Sequence, residues 1–219
     1  MKNQKLELTW IGKDKKTILE PRILIEDKSK SYGDANTQNM LIHGDNLLAL
    51  KALEDKFTNK IKCIYIDPPY NTGSAFEHYD DNLEHSIWLN LMKSRLEIMR
   101  KLLSKDGLIW IQIDDVEMAY LKVLCDEIFG RENFINTISI QVSPPNGVKM
   151  NHAESKILKE KEYIIVFCKN REFVKFKPEY VKVKSWDSHY TKFIEGDLEN
   201  ISTCTVISMS DKLKELNII

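Results

Sequence analysis

Asp67, Pro68, Pro69 and Tyr70 stand in a row directly after the apolar run IKCIYI (61–66). Each proline fixes its own φ and lacks an amide donor. Each also pushes the residue before it toward an extended backbone. The segment is therefore stiff, and it presents a carboxylate, carbonyls with few local donors and an aromatic ring in a fixed relation. Those parts suit a planar base that offers an exocyclic amino group. Such a nitrogen is a poor nucleophile, because its lone pair is delocalised into the ring. The Asp67 carboxylate and the Pro68 carbonyl can each accept one of its N–H groups, which localises the lone pair for attack on an electrophilic methyl. Tyr70 can stack on the ring face, a contact worth about 1–3 kcal/mol per base. Positioning and polarisation would supply most of the rate. The plainer alternative is a rigid turn in which Asp67 only caps a neighbouring element.

Other residues offer less. Ser143-Pro144-Pro145-Asn146 has the two prolines but no aromatic, so it reads as a loop, with Lys149 and His152 following. Asp114 and Asp115 end another apolar run; Asp115 is expected to cap the helix that starts at Val116. His78 and His85 flank an acidic stretch without a metal-ligand spacing such as H-E-x-x-H, so a solvated loop is expected there, and no metal. Lys156, Lys159 and Lys161 could track phosphates or could be plain surface.

The surrounding pattern says what positions the tetrapeptide. NMLIH (39–43) reads as a short buried strand, broken by Gly44-Asp45-Asn46. Leu47, Leu50, Leu53 and Phe57 give helical spacing over 47–57, and Trp88 through Leu103 give it over 84–104. Lys105-Asp106-Gly107 is expected to close the second helix. IKCIYI (61–66), LIWIQI (108–113), FINTISIQV (134–142) and EYIIVFC (162–168) read as strands, and 116–129 as a helix stopped by Gly130. Alternating strands and helices predict an α/β domain with a mostly parallel sheet covered on both faces. Ligands of such sheets bind at the carboxyl ends of strands, where Asp45, Asp67 and Asp114/Asp115 fall. Residues 1–38 read as a lead-in with little regular structure.

The 219 residues are 42% hydrophobic and 30% charged, a globular balance that excludes wholesale disorder. No run of 18 apolar residues is present and the start lacks the apolar core of a secretory signal, so a cytoplasmic protein without a membrane span is expected. Cys63, Cys125 and Cys168 lie in apolar runs and, with Cys204, show no C-x-x-C pairing. They are expected to be free thiols, buried in the apolar runs. Residues 146–184 carry ten basic against five acidic side chains, whereas each flanking stretch has an acidic excess of three.

LIHGDNLLALKAL, IKCIYIDPPYNTG and GLIWIQIDDVE, in that order, resemble the permuted (beta-class) DNA amino-methyltransferases, in which the catalytic motif precedes the cofactor motif. The likeness is greatest to the modification subunits of type III restriction-modification systems and spans roughly residues 38–170. It implies a Rossmann-like fold that binds S-adenosylmethionine and methylates adenine N6 in DNA, with Asp67, Pro68, Pro69 and Tyr70 as the catalytic motif. Gly44 and Asp45 match a cofactor-binding segment, and Asp67 would lie close to the methyl. The base would be flipped out of the duplex. Residues 39–170 would be the first part of the catalytic domain, and 171–219, with KSWDSHYTKFIEGD, the start of a target-recognition region. A restriction subunit and a homodimer are partners the resemblance admits. The eight glycines include no G-x-G, whereas the resemblance places an F-x-G-x-G loop after the recognition region. A truncated or split chain is therefore expected, weak in cofactor binding alone and completed by a second polypeptide. Two other readings remain: a cytosine-N4 enzyme using the same chemistry, and a non-catalytic DNA-binding or assembly fragment.

Overall fold

Asp45 begins the first helix. Its Oδ1 accepts the Leu48 amide at 3.0 Å, giving an N-cap for α1 (Asn46–Phe57) in this computed structural model. The structure describes residues 7–15, 19–34, 36–71, 84–142, 160–178, 189–197 and 199–217. The chain divides into two units, residues 1–175 and 176–219.

In the first unit the apolar stripe of α1 packs Leu47, Leu50, Leu53 and Phe57 against Ile98 and Leu102. Those two belong to α2 (His85–Leu102), which buries Trp88, Leu89, Met92, Leu96 and Met99 as its periodicity predicts. The expected glycine stop at 105–107 does not close this helix. It ends at Leu102, and β2 (Leu103–Ile113) starts on the next residue. A side chain on Gly107 would meet the Ile61 carbonyl at 2.7 Å. This glycine therefore serves the close approach of β2 to β1 (Ile61–Ile66). The last α2 carbonyls are met instead by the amides of Asn59 and Lys60, which donate to Lys101 O and Leu102 O at 3.0 Å, and by Lys169, whose Nζ donates to Lys101 O at 3.2 Å.

The helix α3 (Met118–Phe129) leads to β3 (Phe134–Gln141) and then β4 (Lys161–Cys168). The sheet order is β1-β2-β4-β3, with β1 parallel to β2 and β4 antiparallel to both neighbours. The class is the expected α/β, incomplete Rossmann-like fold. The sheet, however, is mixed where a mostly parallel one was expected: β1, β2 and β3 run one way and β4 is inserted in reverse. The continuous apolar run of a central strand is the same for either direction, so the pattern carries no sign of the reversal. Ile109, Ile111 and Ile113 of β2 and Ile165 and Phe167 of β4 are fully buried under α2 and α3.

Two expectations for the first part of the chain are corrected. Residues 39–43 form no strand among the described residues; Leu41 is 100% exposed and Met40 is exposed. An apolar run becomes a strand only with a ladder partner, and none among the described residues reaches this one. Cys63 is exposed on β1, so only Cys125 and Cys168 are buried thiols, and all four cysteines are free. The lead-in has little regular structure, as expected, but residues 7–13 are pinned to the core. Lys13, 8% exposed, bonds Glu127 at 2.7 Å, Glu7 at 2.8 Å and Leu8 O at 2.6 Å. Burial pulls its ammonium pKa down, and the two carboxylates outweigh burial and leave it raised.

The second unit pairs β5 (Lys192–Glu195) with β6 (Thr205–Ser208) as an antiparallel ladder, followed by α4 (Met209–Glu215). Lys212 of α4 is paired with Glu195 at 2.6 Å and Glu215 at 3.1 Å. Among the described residues, no helix is long and apolar enough to cross a membrane.

Candidate active site

The parallel register sets Ile66 opposite Ile111, so β1 and β2 end at the same edge of the sheet. Asp67 follows β1 and is exposed at that edge; Asp114 follows β2 and is buried. The two prolines then carry the chain to Tyr70. Trp88, wholly buried in the first turns of α2, donates its Nε1–H to the Pro69 carbonyl at 2.8 Å. The Pro68 carbonyl takes no hydrogen bond among the described residues. One of the two proline carbonyls is thus held by the fold, and the other is the acceptor left beside Asp67.

Tyr70 is half-buried against the main core cluster. Its hydroxyl donates to Glu162 Oε2 of β4 at 3.0 Å, and the same oxygen accepts Gln112 Nε2 of β2 at 2.8 Å. The Tyr65 hydroxyl donates to Gln112 Oε1. A chain of hydrogen bonds therefore runs across β1, β2 and β4 and ends on the Tyr70 ring. Burial first, then the carboxylates of Glu162 and Asp67, push the Tyr70 phenol well above its ordinary range, so it stays protonated and donates.

Asn71 has a left-handed backbone, φ 58°, and its Nδ2 donates to Glu117 Oε1 at 2.8 Å. The His85 Nδ1 lies 3.0 Å from the same oxygen, and its ring meets Tyr120 edge-on with centroids 4.3 Å apart. His85 is thus the first residue of α2, joined to a buried carboxylate, and does not sit in the solvated loop expected for it. His78 lies outside the described residues.

Gly44 and Asp45 stand at the start of α1. Asp45 is committed to its cap, with its other oxygen 4.0 Å from Arg95, and no hydrogen bond or ion pair among the described residues links it to 67–70. The capping expected of Asp115 is not found, and the helix expected from Val116 starts at Met118, with Glu117 at its N-cap position and no side-chain cap bond; Asp114 Oδ1 accepts the Val116 amide at 2.9 Å in the turn before the helix. Asp115 instead accepts the Tyr163 hydroxyl at 2.8 Å and lies 3.9 Å from Lys161. Ser143-Pro144-Pro145-Asn146, Lys149, His152, Lys156 and Lys159 lie outside the described residues, and no group of acids, histidines and cysteines suited to a metal occurs among those described. Trp88, Gln112, Glu117 and Glu162 escaped the reading of the sequence. Tyr70 and Glu162 are 92 residues apart, and only the sheet brings them together.

Asp-Pro-Pro-Tyr thus stands at the carboxyl edge of a Rossmann-like sheet. The family model for DNA methylases acting at N6 or N4 matches residues 61–205, and the chain belongs to that family. It is 47% identical over 157 residues to the probable type III restriction-modification enzyme HindVI Mod subunit of Haemophilus influenzae, covering 71% of this chain and 21% of that one. It is 35% identical over 208 residues to the type III restriction-modification enzyme EcoP15I Mod subunit of Escherichia coli, covering 78% and 31%. The type II methyltransferase M.EcaI of Enterobacter cloacae is 41% identical over 149 residues, covering 64% and 31%. The chain therefore spans between about a fifth and a third of these relatives' length.

Proposed function

We propose that this chain is the part of a DNA adenine methyltransferase of a restriction-modification system that grips and activates the target amino group. One observation carries the reading: Asp67 and the Pro68 carbonyl form an acceptor pair at the end of β1, with Trp88 and Glu162 fixing the backbone and ring on either side. Asp67 takes one N–H of the flipped adenine and Pro68 O takes the other. The nitrogen lone pair is thereby drawn out of the ring. Tyr70, its phenol kept neutral, offers a ring face to the base. S-adenosylmethionine supplies the electrophilic methyl, and Gly44, Asp45 and Asp67 are the residues that would hold it. The Gly44 backbone is open to a ligand, since nothing among the described residues lies within 4 Å of where its side chain would be. Residues 39–170 would form the first part of the catalytic domain and 171–219 the opening of the target-recognition region; the division of the chain after Lys175 supports this. Duplex DNA and a restriction subunit are the proposed partners.

The test is product analysis. The full-length methyltransferase that contains this chain is incubated with duplex DNA and S-adenosylmethionine, and the DNA is digested to nucleosides. N6-methyladenine is the expected product. N4-methylcytosine alone would move the enzyme to the cytosine class, and no methylated nucleoside would favour the non-catalytic reading.

The ring of Tyr70 should matter more than its hydroxyl. Tyr70→Ala is expected to cost roughly 1–3 kcal/mol of base binding. Tyr70→Phe and Tyr70→Trp keep a stacking face and should retain most of the activity. Tyr70→Phe loses the bond to Glu162, worth about 1 kcal/mol. Steady-state rates for the three variants decide the matter, and equal losses for Phe and Ala would assign the role to the hydroxyl.

A further inference from the structure

Three elements meet at one buried carboxylate. Glu117 stands at the start of α3, 1% exposed, and its side chain makes no capping bond to that helix. The amide of Val116 is served by Asp114, so Glu117 is not needed there. Its Oε1 instead holds Asn71, the residue after Tyr70, and His85, the first residue of α2. Three residues beyond His85, Trp88 holds the Pro69 carbonyl. The far end of the Asp67–Tyr70 segment is thus tied to the first turn of α2 and to the N-cap residue of α3 through two adjoining contacts.

This arrangement is costly as packing. An ionised carboxylate loses its hydration on burial and must recover it from partners. Glu117 recovers it only in part: its Oε2 and the His85 Nε2 are both buried without a hydrogen-bond partner among the described residues. A half-satisfied buried group is poorer for stability than an apolar side chain of similar size. Asn71 adds a left-handed backbone, which non-glycine residues adopt at a cost. Strain and unfilled polar capacity together, one residue from the proposed stacking ring, point to a functional demand.

We infer that Glu117 is a positioning residue for amino-group activation. It acts through Asn71, holding the left-handed turn that ends the tetrapeptide, so that Asp67, the Pro68 carbonyl and the Tyr70 ring converge on one nitrogen. It touches neither substrate nor cofactor. The inference rests on the methyltransferase reading above and deepens it.

The test compares Glu117→Ala, Glu117→Gln, Asn71→Ala and the Glu117→Ala/Asn71→Ala double variant in the full-length enzyme. Glu117→Ala should lower kcat by about 10²-fold, the scale of a small misplacement of reacting groups. KM for DNA and for S-adenosylmethionine should stay within about threefold of the parent, because ground-state binding is untouched. Glu117→Gln keeps an oxygen for the Asn71 amide and should restore most of the rate. The double variant should be no slower than Glu117→Ala, since both changes break one link. A folded Glu117→Ala enzyme with parental kcat would overturn the inference, as would losses that multiply in the double variant. Should Glu117→Ala fail to fold, Asn71→Ala breaks the same bond from the loop side, and a parental kcat there overturns the inference equally. The parent enzyme is assayed for N6-methyladenine alongside; its failure to make that product would sink the functional reading itself and is distinguishable from a null effect at Glu117.

Discussion

Asp67→Ala in the full-length methyltransferase is expected to lower kcat by about 10³-fold or more, the scale at which a lost polarising group acts. The melting temperature should stay near that of the parent, because Asp67 is exposed and belongs to no core cluster. That separation makes the variant informative: a loss of rate cannot be charged to unfolding. Asp67→Asn keeps one acceptor oxygen and should fall between the parent and alanine. Methyl-transfer rates and thermal unfolding of the three proteins check this together. Retention of a tenth of parental turnover by Asp67→Ala would remove Asp67 from the catalytic machinery.

Trp88→Ala should have the largest effect on stability. The side chain is 0% exposed and packs in the cluster that joins α2 to the sheet. Truncating a buried aromatic of this size costs about 3–5 kcal/mol, a large share of the roughly 5–15 kcal/mol that holds a domain together. Trp88→Phe isolates the other role of this residue. It keeps most of the packing but removes the Nε1 donor to the Pro69 carbonyl, a loss of about 1 kcal/mol in stability. Because that bond fixes the peptide next to the Pro68 acceptor, the Phe variant should lose rate beyond what its stability explains. Denaturant unfolding and single-turnover methylation separate the two quantities. A Phe variant as fast as the parent would show that the loop needs no clamp from α2.

Much of this was legible from local pattern. The spacing of Leu47, Leu50, Leu53 and Phe57 gave α1 within a residue, and IKCIYI gave β1 to the residue. Patterns failed where the deciding atom lies far along the chain. Gly107 looks like a helix stop, and only the Ile61 carbonyl beside it shows that it serves a strand contact. NMLIH looks like a strand until its want of a ladder partner is seen. Of the two adjacent acids after β2 neither caps α3; Asp114 holds the turn at Val116 that leads into it, which their order does not reveal. Within the candidate site, Asp67 through Tyr70 could be read directly because two prolines make their own geometry. Glu117 and Glu162 could not, since their partners are set by the stacking of strands and helices.

The reversed strand has a consequence for how the molecule is made. β4 lies between β2 and β3 yet follows both in the chain. While a nascent chain is still emerging, β1 and β2 can pair, but among the described strands β3 has no neighbour until residues 161–168 leave the ribosome. The two ladders on either side of β4 then close together, in a late step that must bring distant segments into register. Until it happens, β2 keeps one edge open and β3 keeps two, and open edges are templates for pairing with another chain. The interval of translation between residues 141 and 168 is therefore when the β2 and β3 edges are open to association with unfinished copies of the chain.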